Sequence, residues 1–143
     1  MDPAVFTPTG AASWRIALPH SAAAVPLARA LIRTALTQVA TATDIDTAEL
    51  LTAELVANAV KHTPRASPIQ LVVEQRATGC QVEVHDGDPT PPGGLSPAAP
   101  PPAPDPWQEN GRGLLLIHAL SAECGHRITG GGKAVWFRLP ART

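Results

Sequence analysis

Polar and apolar residues alternate over residues 13–18, which predicts a β-strand, and four further stretches of the chain are predicted to form strands. The second and third stretches are joined by a short turn that contains Gly79, which predicts an antiparallel hairpin. The last two flank Gly130-Gly131-Gly132, which is also typical of a hairpin turn. The predicted strands span residues 13–18, 69–75, 81–86, 125–129 and 134–139.

Three segments have patterns typical of helices. An Ala- and Leu-rich segment from about 22 to 40 carries apolar residues at fourfold steps, which predicts an amphipathic helix. A second helix is predicted to begin at Thr43 or Asp44, which are both good N-cap residues, and to end at Thr63-Pro64. A third is predicted from Leu114 to about Leu120. The predicted buried stripe of the first helix is Leu27, Leu31, Ala35 and Val39.

The length and composition indicate a single folded domain. The chain has 143 residues, of which 44% are hydrophobic, so it can bury a core of its own. Residues 1–12 are small and proline-bearing and are predicted to form a flexible N-terminus, which leaves 13–143 as the domain. The stretch from about 89 to 110 is dominated by Pro, Gly and Ala, and a loop of this length favours a mobile lid.

Charge and cysteine content narrow the classes of function. Eleven basic and twelve acidic residues give a net charge of -1, so there is no positive surplus for direct binding of nucleic acid. The sequence contains no stretch long and apolar enough for a membrane span, and its first residues do not resemble a secretory signal. Cys80 and Cys124 have neither zinc-site nor disulfide-framework spacing. These features predict a soluble, cytoplasmic protein.

The second predicted helix carries the most informative motif, ELVANAVKH at residues 54–62. Glu54 and Asn58 lie about 40° apart around a helix, Lys61 follows one turn later, and this polar stripe borders the apolar one. Such a carboxylate, amide oxygen and ammonium can accept a proton, bind a hard metal ion and neutralise a phosphate, respectively. The alternative is structural: Glu54 pairs with Lys61 or Lys133, and Asn58 makes an ordinary buried hydrogen bond.

Two further motifs follow along the chain. Asp86 ends a predicted strand at a sharp turn, where its carboxylate could accept a hydrogen bond from an exocyclic amine such as that of adenine. Asp-Gly and Asp-Pro are also common turn signals, so a plain turn is the alternative. Gly111-Arg112-Gly113-Leu114 opens the third predicted helix, where backbone N–H groups could approach a phosphate closely. A flexible exit from the proline-rich loop would give the same pattern.

The order and spacing of these motifs resemble the GHKL superfamily of ATP-binding domains, and residues 54–62 look most like the anti-sigma-factor serine kinases. The likeness covers nearly the whole chain. It implies an α+β two-layer sandwich, with helices on one face of a mixed, largely antiparallel sheet and the nucleotide between the helix layer and the lid. It also implies ATP and Mg²⁺ as cofactors, a sigma factor and an antagonist as protein partners, and is compatible with a homodimer.

The resemblance assigns a role to individual residues. Glu54 matches the general base, Asn58 the magnesium-binding asparagine, and Asp86 the acid that reads adenine. The other matched positions are Lys61 at the phosphates, His62 beside the nucleotide, Asp88 in the turn after the adenine-reading acid, and Gly111, Arg112, Gly113 and Leu114 on the phosphate side.

Two departures from the family pattern bear on activity. The turn after the adenine-reading acid is commonly Asp-x-Gly-x-Gly, whereas residues 86–90 read DGDPT. The stretch between Pro89 and Asn110 contains no Lys or Arg, so no charge there would stabilise a transferring phosphoryl group. The function expected from the resemblance is a Mg-ATP-binding anti-sigma factor with serine/threonine kinase activity, although the two departures count against phosphotransfer. The alternatives are a nucleotide-gated binding module without phosphotransfer and a nucleotide-free structural domain.

Overall fold

A computed structural model describes residues 5–6, 13–37, 42–64, 67–76, 79–89, 117 and 119–140. Within these ranges the chain forms two long helices and a six-stranded sheet. The elements are β1 (Val5–Phe6), β2 (Ser13–Leu18), α1 (Ala24–Leu36), α2 (Ala42–His62), β3 (Ile69–Arg76), β4 (Gly79–Asp86), β5 (Glu123–Ile128) and β6 (Lys133–Pro140).

The sheet has the strand order β1-β2-β3-β4-β6-β5, and every pair of neighbouring strands in it is antiparallel. Both predicted hairpins are present, and Gly79 in the β3–β4 turn has a φ of 137°, a conformation open to glycine. The predicted α+β sandwich with a largely antiparallel sheet is confirmed. The two-residue strand β1, which pairs with β2, has no counterpart among the predicted strands.

The two faces of the sheet have different chemistry because successive side chains of a strand point to opposite sides. One face is apolar and packs against the helices, with α2 lying over β4 and β6. Its most buried strand residues are Ile69, Leu71, Val73, Val82, Val84 and Phe137, each at most 1% exposed. The other face carries polar and charged side chains, among them Gln81, Glu83 and Arg138.

The buried stripe of α1 differs from the predicted one. Ala24, Ala28, Ile32 and Leu36 form the buried stripe, whereas Leu27 is 42% exposed and Leu31 and Ala35 lie at its border. The prediction placed the buried stripe one residue too early along the helix, and its fourth position, Val39, lies outside the described residues. Because α1 is apolar around much of its circumference, periodicity alone does not select between adjacent stripes. The small alanines of the observed stripe allow a close approach to the sheet.

Helix α2 follows the prediction closely. It begins at Ala42 and ends at His62, within two residues of the predicted bounds. The apolar positions Leu51, Leu55 and Ala59 are all buried. Ion pairs tie α2 to α1, since Arg33 of α1 contacts both Asp46 and Glu49 of α2. The two helices therefore form one layer over the sheet.

Several predicted features lie outside the described residues. They include nearly all of the loop at about 89–110, and also Gly111, Arg112, Gly113 and Leu114. Residues 117, 119 and 120 are helical, in agreement with the predicted third helix as far as it is described. Neither of the two described helices is long and apolar enough to cross a membrane.

Candidate functional site

Helix α2 presents its polar motif at the border between core and solvent. Glu54 and Asn58 are both partly buried, while Lys61 and His62, in the last turn, are exposed. The partial burial of Glu54 and Asn58 confirms that the polar stripe of α2 borders its buried apolar stripe. The alternative in which Lys133 forms an ion pair with Glu54 is not observed, because the Lys133 ammonium contacts Asp86 and Asp88.

Asp86 ends β4 on the face of the sheet that the helices cover. Its side chain is only 2% exposed and forms an ion pair with Lys133 of β6, whose side chain is 8% exposed. The Lys133 Nζ lies 3.0 Å from Asp86 Oδ2 and 3.1 Å from Oδ1. A buried pair of this kind is stable only when its remaining hydrogen-bonding positions are satisfied. The Lys133 ammonium meets this condition with a further bond of 2.9 Å to the carbonyl oxygen of Asp88.

The turn after Asp86 is held by three contacts. The Asp88 N–H donates to Asp86 Oδ1 at 2.8 Å, which closes the turn around the carboxylate. The Gly87 N–H donates to the Ser67 hydroxyl oxygen at 2.7 Å. Gly132, in the β5–β6 turn, packs directly on this backbone: a Cβ added there would lie 1.9 Å from the Asp86 carbonyl oxygen. The turn is therefore fixed from both sides.

A separate cavity of about 610 Å³ adjoins the C-terminal end of α2. It is lined by His20, Ser21, Ala22, Val60 and Thr63. The His20 Nε2 lies 2.9 Å from the Thr63 hydroxyl oxygen, so the ring is held by a hydrogen bond. Among the described residues, those that the sequence assigns to the nucleotide do not line this cavity.

Comparison with known families decides the kind of domain. Residues 18–139 match the model of the histidine kinase-like ATPase domain. The chain belongs to this family. No curated protein matches it closely. The match spans both helices and every strand from β3 to β6, so the histidine kinase-like ATPase fold accounts for nearly the whole described structure.

In this histidine kinase-like ATPase domain, the described candidate residues come from two elements. Four of them lie along α2, namely Glu54, Asn58, Lys61 and His62. Asp86 is the last residue of β4, and Asp88 lies in the turn that follows. Because α2 packs over β4, the two sets belong to the same side of the sheet.

Sequence reasoning did not assign three residues that shape this site. Lys133, Gly132 and Ser67 all contact the segment 86–88 from other parts of the chain. Lys133 reaches Asp86 because the two residues are directly paired in the register between β4 and β6. That register joins two strands that are not consecutive, and no local pattern reveals it.

A second ionic cluster occupies the opposite face of the sheet. Glu83 is 3% exposed and receives hydrogen bonds from Arg127 at 2.7 and 2.8 Å and from Gln81. His85 Nε2 lies 2.8 Å from the same carboxylate. Burial alone raises the pKa of Glu83, but the contacts with His85, Arg127 and Gln81 together hold it well below its ordinary value. Glu83 and Arg127 therefore form an ionised pair at neutral pH.

Proposed function

We propose that this chain binds Mg-ATP and acts as an anti-sigma factor with serine/threonine kinase activity toward an antagonist protein. The observation that carries the nucleotide part is the buried Asp86 carboxylate at the end of β4, on the side of the sheet that α2 covers. Membership of the histidine kinase-like ATPase family supports it. The partner part rests on the likeness of residues 54–62 to the anti-sigma-factor serine kinases. The proposed partners are a sigma factor and its antagonist.

The proposed roles follow from the chemistry of each side chain. Glu54 takes the proton from an attacking hydroxyl, and its partial burial favours this use of a carboxylate. Lys61 and His62, exposed in the last turn of α2, lie beside the phosphates and the nucleotide. Asp86 accepts a hydrogen bond from the exocyclic amine of the base. Gly111, Arg112, Gly113 and Leu114 complete the proposed phosphate side and lie outside the described residues.

The described residues fit a magnesium nucleotide better than a metal held by protein groups alone. In the part of the chain that the structure describes, no three His, Cys, Asp or Glu side chains are grouped as a metal site. Mg²⁺ at nucleotide sites is commonly held by one or two protein oxygens together with phosphates and water, so the Asn58 amide oxygen suffices. When bound, Mg-ATP supplies the phosphoryl group and offsets the charge on its oxygens.

Glu54→Gln tests the kinase assignment. The change removes the proposed base without altering size, so release of ADP from ATP should fall about 100-fold or more while the affinity for a fluorescent ATP analogue stays within twofold. Glu49→Gln is a matched control on the same helix, because Glu49 pairs with Arg29 and Arg33 of α1. It should leave both quantities unchanged. Equal turnover in Glu54→Gln and the original chain would refute the role of Glu54.

A nucleotide-gated binding module without phosphotransfer is the second candidate. The absence of Lys and Arg between residues 89 and 110 favours it, because no positive charge in that segment can stabilise a transferring phosphoryl group. In that case ATP binds without turnover, and Glu54→Gln changes neither binding nor ADP release.

A further inference from the structure

Lys133 directs its ammonium group at the segment 86–88. Its Nζ lies 3.0 and 3.1 Å from the two Asp86 carboxylate oxygens, which are too close together for separate N–H groups, and it donates a further hydrogen bond of 2.9 Å to the Asp88 carbonyl oxygen. Lys133 is 6% exposed, so its ammonium group is held among these three oxygens. Its closest route of influence on a ligand is therefore through Asp86.

The same contacts leave the Asp86 carboxylate with unequal oxygens. Each carboxylate oxygen accepts about two hydrogen bonds. Oδ1 is filled, because it accepts from both Lys133 and the Asp88 N–H. Among the described residues, only the Lys133 ammonium contacts Oδ2, as an ion pair at 3.0 Å, so a hydrogen-bonding position on Oδ2 stays open.

We propose that Lys133 is a positioning residue that leaves Asp86 with one open hydrogen-bond acceptor, on Oδ2. The site then selects a nucleotide base that offers a single exocyclic N–H to this oxygen. This inference rests on the proposed nucleotide-binding function. Adenine meets the requirement with its 6-amino group. Guanine has a carbonyl oxygen in place of the 6-amino group of adenine. It binds a carboxylate through its adjacent N1–H and N2–H donors, and this arrangement needs an open position on both carboxylate oxygens.

Removing the ammonium should therefore change base selectivity. In Lys133→Met both carboxylate oxygens have an open position, and guanine can use the two together. The ratio of the dissociation constants for GTP and ATP, measured by displacement of a fluorescent ATP analogue, should fall about tenfold, the value of one hydrogen bond. A purely structural role of Lys133 would weaken both nucleotides alike and leave the ratio unchanged.

Arg138→Met is the matched control. It removes a cation from the same strand, but Arg138 lies on the opposite face and contacts Glu123 and Gln81. The GTP-to-ATP ratio should stay at its original value in this variant. A ratio in Lys133→Met within twofold of the original overturns the proposal. If the unaltered chain binds neither nucleotide, the proposed function itself is refuted, and that result is distinct from a loss of selectivity.

A neutral double variant covers the case in which Lys133→Met does not fold. Asp86→Asn with Lys133→Met leaves no unpaired buried charge. With Oδ1 still bound to the Asp88 N–H, the amide nitrogen takes the position of Oδ2 and presents a donor. This variant should bind ITP, whose base has a 6-carbonyl, more tightly than ATP. Retention of the original preference for ATP would overturn the proposal.

Discussion

Replacing Gly132 by alanine should destabilise the domain strongly because two backbone segments meet there. The added Cβ would lie 1.9 Å from the Asp86 carbonyl oxygen and 2.7 Å from the Gly87 Cα and carbonyl carbon. These are backbone atoms of a turn that hydrogen bonds to Ser67 and Asp88 also hold, so no flexible side chain can yield. Overpacking typically costs about 1–3 kcal/mol, and we expect Gly132→Ala to lie near the upper limit, at about 3 kcal/mol.

The neighbouring Gly131 provides the control. A Cβ added at Gly131 meets nothing within 4 Å, so Gly131→Ala should change stability by less than about 0.5 kcal/mol. The free energy of unfolding can be measured by urea denaturation followed by tryptophan fluorescence. At about 2–4 °C per kcal/mol for a domain of this size, Gly132→Ala should also lower Tm by about 6–12 °C. Equal stabilities for the two variants would refute the close packing of the two turns.

Other predictions concern the Glu83 cluster and the two thiols. Because the pKa of Glu83 is held below its unfolded value, its ion pair should stabilise the domain above about pH 4.5 and lose this contribution as pH falls toward the folded pKa. Glu83→Gln should therefore lower the free energy of unfolding at pH 7 and approach the original chain in acid, as measured by urea denaturation across pH. A constant difference would contradict this account. Arg127→Met should cost about 1.5–3 kcal/mol at pH 7, since it removes two charge-assisted hydrogen bonds. Burial raises the pKa of Cys80 to about 11 and also raises that of Cys124, so both thiols should react with a thiol reagent far more slowly in the native chain than in urea. Rapid labelling of the native chain would show that the thiols are accessible.

The elements of this fold are largely readable from the sequence because their signals are local. The alternation in residues 13–18, the caps around α2 and the glycines in the hairpin turns each depend on neighbouring residues. The α1 stripe shows where local reasoning reaches its limit. Leu27 and Ala28 both belong to apolar stripes, and the choice between them depends on how closely the helix approaches the sheet, which only the packed structure determines.

For the candidate site, the sequence proposes individual residues but not the contacts between them. Glu54, Asn58 and Asp86 are recognisable from residue type, spacing and family resemblance. The partner of Asp86 is not, because Lys133 is brought to it by the register between β4 and β6, two strands separated by 46 residues of chain between their paired ends. The contact of Gly132 with the Asp86 backbone has the same origin.

Calorimetric titration with ATP, with and without magnesium, tests the central claim most directly. The original chain should bind ATP with micromolar affinity in the presence of magnesium. Asn58→Ala should abolish the dependence on magnesium, and Asp86→Ala should weaken binding by at least tenfold. The absence of binding in every condition, by a chain that unfolds cooperatively, would contradict the assignment of a nucleotide site to α2 and the end of β4.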